Sequence, residues 1–318
     1  MTRKKQFGFS LLETMVSLGV LFAVGSIVLS GMGQLLRTQG SIANRTEMHS
    51  SVRSATELLQ QEIGQAGRIS LGSNTANVTL SAAVAAGASG FTLTSPGTAP
   101  IVYPGEVLTV DVGTNQETVT VATGTTSTGT ATFQAAHAAG APVSALGAFA
   151  TGIVPPAAAP TSYPNGSTPT VLKLYGDING DGNMVYVEYT CVPGTVAAPG
   201  FLYRNQMPIT QVGKPALNNT MILLGNVLAN PNDINGNAVP CFGYQVQPLL
   251  ASFCVTDVQV TLTVQTQNKD VQTQQFQPET KSLLNVAPRN VVEVYDTSSL
   301  VDPTRAQAMP ATVTALLP

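Results

Sequence analysis

The side chains best placed for chemistry lie in Asp177-x-Asn179-x-Asp181-Gly182, three oxygen donors at alternate positions ahead of a glycine. That spacing lets a short loop wrap its ligands around Ca²⁺, and Glu188 falls at the twelfth position of such a loop. The segment around it, MVYVEYT, alternates like a strand, and Asn183 to Glu188 extended would cover about 16 Å. Glu188 is therefore not expected to return to the ion. Asp177, Asn179 and Asp181 would hold Ca²⁺ with backbone carbonyls and water. The same residues equally serve an Asn-Gly/Asp-Gly hairpin turn that needs no ion. Calcium is the one cofactor this chain suggests.

Sulfur and imidazole chemistry is thinner. Cys191, Cys241 and Cys254 allow three single pairings, each leaving one thiol over. Cys191 and Cys241 both sit beside a proline at strand or loop edges, whereas Cys254 lies inside a strand-like run and reads as a small buried apolar residue. Cys191–Cys241 is the expected disulfide, and the absence of C-x-x-C spacing argues against zinc. His137 reads as a turn or capping histidine, because no second His, Cys or paired carboxylate lies nearby in sequence. No Ser/His/Asp, Cys/His or nucleophile-elbow arrangement is present, so the chain is not expected to be an enzyme.

Glu13 is the anomalous charge. Arg3, Lys4 and Lys5 precede a Gly8-Phe9 junction, and from Leu11 to Met32 Glu13 is the only charged residue. About 22 residues at roughly 1.5 Å each reach about 33 Å, enough to cross a bilayer. The cations place the short N-terminus in the cytoplasm. An acidic side chain in such a helix costs about 2.5–3.5 kcal/mol on insertion scales, so Glu13 needs a partner. A secretory signal would have a shorter apolar core and a small-x-small site after it. A plain anchor leaves Glu13 and Gly8-Phe9 unexplained.

The run K-x-F-G-F-S-L-L-E resembles the class III leader of type IV pilins and their relatives in type II secretion. The resemblance implies cleavage by a prepilin peptidase between Gly8 and Phe9, followed by N-methylation at Phe9. Glu13 falls at the fifth mature position, where the family carries a glutamate. Its implied role in assembly is to neutralise the N-terminal ammonium of a neighbouring subunit. In lipid that pair is far stronger than in water, although desolvation takes back much of the gain.

The elements around these residues suit an exported α+β protein. Only 10% of the 318 residues are charged, 6% are aromatic and Trp is absent. Loss of the leader, residues 1–8, would take the net charge from −3 to −6, which offers no broad nucleic-acid footprint. A pilin-type helix is expected over 9–69, with its transmembrane part at about 11–32. Met48, Val52, Ala55, Leu59, Ile63 and Ala66 form one helical stripe, and Arg45, Arg53, Glu57, Glu62 and Arg68 lie largely off it. Gly25, Gly31 and Gly33 mark either points of melting or bending or close packing.

Residues 70–147 alternate in short Thr/Ala/Gly-rich runs (FTLTS, EVLTVDV, ETVTVAT, GTATFQA) and read as a β-meander of about five strands. Within it, FQAAHAAGAPV resembles the closing element of small β modules of bacterial surface and virion proteins. A proline-rich linker follows at 148–169, whose PPAAAPTSYPNGSTP is expected to hold neither ladder nor helix. A second β region at 170–318 contains VLKLYG, MVYVEYT, FLYRN, MILLGNV, FGYQV and VTDVQVTLTVQT. Its last pair, Asp257–Thr266 with Thr273–Asn285, leads into LLNVAPRNVVEVY.

This order resembles PilW-like minor pilins and J-type minor pseudopilins, whose heads are antiparallel sheets packed on the helix and whose final strands often end in an Arg-Asn-like signature, here Arg289-Asn290. The resemblance implies a minor subunit of a type IV pilus or type II secretion-like filament, priming assembly or sitting at the tip. Its partners would be the prepilin peptidase, the inner membrane and other pilins through the helix. It implies a single-pass inner-membrane protein that later enters a periplasmic or cell-surface filament. An adhesive or ligand-binding module on a pilin anchor is the alternative, and the separate segment 70–147 is the feature that favours it.

Overall fold

The computed structural model describes residues 10–72, 77–157, 163, 165–250 and 252–318. The fold class is α+β, with a long apolar N-terminal helix and mostly antiparallel sheets. The chain forms two compact units, one of residues 1–50 with 265–278, the other of 51–264 with 279–318.

Helix α1 (Leu11–Gln65, 55 residues) contributes to both units. Val52, Ala55, Leu59, Ile63 and Ala66 are all buried, as is Met48 in the first unit, so the expected stripe is the packed face. Glu62 departs from expectation. It lies among these apolar residues, only 3% exposed, rather than off the stripe. Its carboxylate accepts the Tyr189 hydroxyl at 2.5 Å and the Arg204 guanidinium through Nε at 3.1 and 3.2 Å and through a second nitrogen. Pairing is what lets a charge occupy a packed helix face.

The end of α1 is fixed from several sides. Gly67 takes φ +84°, the left-handed turn that ends helices. A Cβ built on Gly152 would fall 2.2 Å from the Gly67 Cα, so both positions need glycine for the backbones to meet. The Gly67 N–H donates to Tyr175 O, and the Gly67 carbonyl accepts from Phe149 N, each at 2.9 Å. Asn290 Nδ2 donates to the terminal carbonyls of Gln65 and Ala66 at 3.0 and 3.3 Å.

Six strands follow in a closed barrel: β1 (Val78–Leu80), β2 (Gly87–Thr94), β3 (Val107–Val110), β4 (Glu117–Gly124), β5 (Thr128–Phe133) and β6 (Pro142–Ala145). The spatial order is β1-β2-β5-β4-β3-β6, which corrects the expected meander. β2 pairs with β1 on one side but passes over β3 to pair with β5 on the other, and β6 closes the barrel by pairing with both β1 and β3. Closure removes the exposed edges that a short five-stranded meander would leave. Leu80, Phe91, Leu93, Leu108, Val110, Val119 and Phe133 fill the interior, with Phe91 and Phe133 edge to face at 6.1 Å.

After β7 (Ala148–Phe149) come the strands of a seven-stranded sheet. These are β8 (Val171–Gly176), β9 (Val185–Val192), β10 (Gly200–Pro208), β11 (Ile222–Leu228), β12 (Phe242–Leu249), β13 (Ser252–Gln265) and β14 (Pro278–Val286). The order is β12-β13-β11-β10-β9-β8, with β14 also paired to β13. The sheet curls until its ends meet: Phe242 N donates to Pro169 O at 3.0 Å, and the Tyr244 hydroxyl reaches Thr168 O and Val171 O. Cys191 and Cys241 form a disulfide across this closure, their Cα atoms 6.5 Å apart, and Cys254 is a buried free thiol.

The described part of the proline-rich stretch carries isolated bridges, Pro156 with Ser167 and Thr168 with Val171, so it is not wholly free of pairing. Beyond β14 the expected strand ending is replaced by helix α2 (Arg289–Leu300), which Arg289-Asn290 open. Val291 and Val294 are buried three residues apart, a helical interval. β15 (Ala306–Gln307), parallel to β7, and α3 (Ala311–Leu316) complete the chain.

Arg204→Met would strand the Glu62 carboxylate in the packed helix face and is predicted to destabilise the second unit by about 3 kcal/mol or more. Adding Glu62→Gln should recover over half of that loss. Thermal unfolding of the full chain in detergent, followed by circular dichroism, checks both.

Candidate functional site

Helix formation is unbroken from Leu11 onward, although Gly25, Gly31 and Gly33 lie within it. Apart from the helix's own neighbouring backbone, no atom of the described residues lies within 4 Å of a Cβ built on any of the three, so they serve no close packing there. Leu12, Phe22, Ile27, Leu29 and Leu36 are each more than 60% exposed, part of an apolar surface continuous from Leu11 to Leu36. An exposed patch of that size marks a membrane or a protein partner. Among the described residues this is the one helix long and apolar enough to cross a bilayer, and it is the candidate membrane span. Glu13 stands in its first turn, near the positive end of the helix dipole. Gly8 and Phe9 lie outside the described residues.

The Asp177 loop lies against the other end of α1. Asp177 N–H donates to Arg68 O at 2.8 Å, and its fully buried carboxylate faces the Arg68 guanidinium at 3.6 Å. Its second oxygen accepts Gly182 N–H at 3.2 Å, and Asp181 accepts Asn183 N–H at 2.9 Å. Burial pushes the Asp177 carboxyl up, and Arg68 draws it back down. Asn179 is exposed at the turn. The loop thus combines turn chemistry with a tie to the helix end, and Arg68 supplies the cationic charge beside Asp177. Glu188 points elsewhere. From β9 it accepts the Tyr186 hydroxyl at 2.8 Å and Lys214 Nζ at 2.9 Å, with Lys173 Nζ at 3.8 Å.

His137 departs from the sequence expectation, for two carboxylates flank it. Nδ1 lies 3.1 Å from Asp111 and Nε2 lies 2.5 Å from Glu117. Glu117 also accepts the N–H groups of Gln134 and Ala135 at 2.6 and 3.2 Å. The histidine backbone pairs with Val84 in both directions at 2.9 Å. The cluster clasps the β3–β4 connection to the segment leading into the closing strand β6. It holds its parts by complementary charge, and both ring nitrogens are engaged. Burial works against the imidazolium, but hydrogen bonds and charge from Glu117 and Asp111 outweigh it and raise the His137 pKa. The His137 hydrogen bond lowers Asp111. Burial opposes the same shift at Glu117, where His137 and the two backbone donors prevail.

Among the described residues, no group of three or more His, Cys, Asp and Glu side chains converges as a metal site. Sequence reading missed the Glu62–Arg204–Tyr189 cluster, the Asn290 cap and the carboxylates at His137, because each joins residues distant in sequence. One local signal existed: Glu62 lies directly before Ile63 and three residues after Leu59, inside the apolar arc. Comparison with protein-family models, curated proteins and solved structures finds no match.

The clasp makes barrel stability depend on pH. His137, raised when folded, contributes fully below the ordinary histidine value of about 6.5 and loses its contribution as pH rises through the folded pKa. Asp111 and Glu117, held low, contribute above ordinary carboxylate values and lose theirs as pH falls through the lowered ones. Glu106, buried beside β3 and pushed up to about 8 by desolvation, also favours acid over alkali. The barrel is therefore predicted to be most stable near pH 5, to weaken above it as the Glu106 contribution is lost, and to weaken further above about pH 6.5 as His137 deprotonates. His137→Gln should flatten the alkaline slope and leave the part due to Glu106. Thermal melts from pH 5 to 9 on the two proteins measure the difference.

Proposed function

We propose that this chain is a minor pilin or pseudopilin, a structural subunit of a type IV pilus or type II secretion-like filament. The observation that carries the reading is the form of α1. Leu11 to Leu36 bare a largely apolar surface whose one charge is Glu13, and Val52 to Ile63 of the same helix bury theirs in a β-rich unit. A plain anchor needs the first property but not a lone acid near its start. In this reading the bare face rests in lipid before assembly and against other subunits' helices afterwards. Glu13 then pairs with the methylated N-terminal ammonium of a neighbour, freed by cleavage between Gly8 and Phe9. The inner membrane holds the subunit, with its N-terminus cytoplasmic, until it enters the filament.

A low-copy or tip position follows from bulk. At 32.9 kDa, with a closed barrel inserted before the sheet, the globular part is hard to repeat along a helically packed shaft. An end position leaves one side without a neighbour. The closed barrel with its own apolar core also favours a second reading, a pilin-anchored adhesive or ligand-binding module. The two differ in their deletion phenotype: loss of filaments for a priming subunit, normal filaments with lost adhesion for the module.

The mature protein is predicted to begin at Phe9 with a methylated amine. Mass spectrometry of the native N-terminus decides this, and a Met1 start in cells with active prepilin peptidase would overturn the pilin reading. Replacing Gly8 with a bulkier residue should leave residues 1–8 attached.

A further inference from the structure

We propose that the tip of the β13–β14 hairpin, residues 266–277, rests among the phospholipid headgroups of the bilayer that α1 spans and sets the depth of the helix. The inference deepens the membrane reading above and depends on it. Thr14 to Leu36 carry no charge, and at about 1.5 Å per residue they cover about 35 Å, slightly more than a hydrocarbon core of about 30 Å. Arg37, the first cation after them, then falls at the interface, where its stem lies along apolar surface and its guanidinium reaches polar ground.

The hairpin tip grips α1 just beyond that point. The Ser41 hydroxyl donates to Asp270, Asn44 Nδ2 donates to Asn268 O at 2.6 Å, Asn268 N–H returns to Asn44 Oδ1 at 3.4 Å, and Arg45 Nε donates to the Gln277 side chain. These grips begin four residues past Arg37, about 6 Å along the axis, and a headgroup layer is about 5–8 Å deep on each side.

The tip is held in shape from within. Asp270 accepts Gln272 N–H and Thr273 N–H at 3.0 and 2.9 Å, and Thr266 N–H donates to Gln277 O at 3.0 Å. Asp270 is the only carboxylate in 266–277, and it is buried and turned to Ser41. Outward the tip offers Lys269, whose Nζ lies 5.7 Å from the Phe276 ring, together with exposed Val271 and Gln272. The tip's two charges cancel, but Asp270 faces α1, so the charge presented outward is that of Lys269 in a chain that is acidic as a whole, at −3. A cation beside an exposed valine, at the depth of Arg37, fits an anionic headgroup surface.

The test places a fluorophore at Gln272→Cys, Gly40→Cys or Ser50→Cys in the full chain in nanodiscs, with quencher on the lipid headgroups. Quenching at 272 should match that at 40 and exceed that at 50 at least twofold in discs containing anionic lipid. Lys269→Glu should cut quenching at 272 at least twofold there, with little effect in neutral discs. Quenching at 272 equal to that at 50 would overturn the proposal, as would indifference to Lys269→Glu. Protection of the 272 label only after other filament subunits are added would assign the tip to a protein partner instead. Flotation is scored separately: protein that fails to float with lipid overturns the membrane reading itself, and the proposal with it.

Discussion

Two demands on one helix organise this protein. From Val52 to Ile63, α1 buries an apolar stripe among strands; from Leu11 to Leu36 it buries nothing. Backbone hydrogen bonding is continuous from one stretch to the other, so a single helix carries both faces. The fixings at the end of α1 follow from this. Glu62 with Arg204 and Tyr189, the Gly67–Gly152 approach and the Asn290 cap each tie the helix to a different part of the second unit. A helix end held by hydrophobic burial alone could rotate or slide; these directional bonds fix its register.

The two β assemblies meet their shared edge problem in different ways. The barrel closes on itself, with the Asp111–His137–Glu117 clasp beside its closing strand. The seven-stranded sheet curls until Phe242 meets Pro169, where the Cys191–Cys241 disulfide joins its ends. Both arrangements reduce the open strand edges that invite unplanned pairing. Gln307 links the barrel to the two-stranded β7–β15 sheet. It lies in β15, beside β7, accepts from Val107 N and the Tyr103 hydroxyl at 3.0 Å, and donates to Val107 O at 2.8 Å.

Sequence periodicity was a good guide wherever structure is local. The helix stripe from Met48 to Ala66 and the strands around VLKLYG, MVYVEYT and VTDVQVTLTVQT lie close to where alternation places them, because each pattern reports one element facing one core. Connection order was not legible. Nothing in FTLTS reveals that it pairs with GTATFQA rather than with EVLTVDV, since Thr-rich strands of similar length are nearly interchangeable in pattern. Polar residues misled in the same way. Glu62 is charged and reads as lying off the stripe, and the resemblance to minor pilins puts Arg289-Asn290 at a strand end, whereas it opens α2. In each case a partner far along the chain, Arg204 for the first and the carbonyls of Gln65 and Ala66 for the second, decides the outcome.

If the bare face of α1 is an assembly surface, its one charge is where the account is most exposed. Removing that charge lowers the cost of the helix in lipid, so Glu13→Val should reach the membrane at least as well as the native chain. The direct measurement is quantitative mass spectrometry of sheared filaments from cells producing Glu13→Val and native chains at equal membrane levels. A charge pair between subunits predicts native chain at a few copies per filament and the variant depleted about tenfold or more, as a loss of about 1.4 kcal/mol would produce. Equal incorporation of the two chains would contradict it.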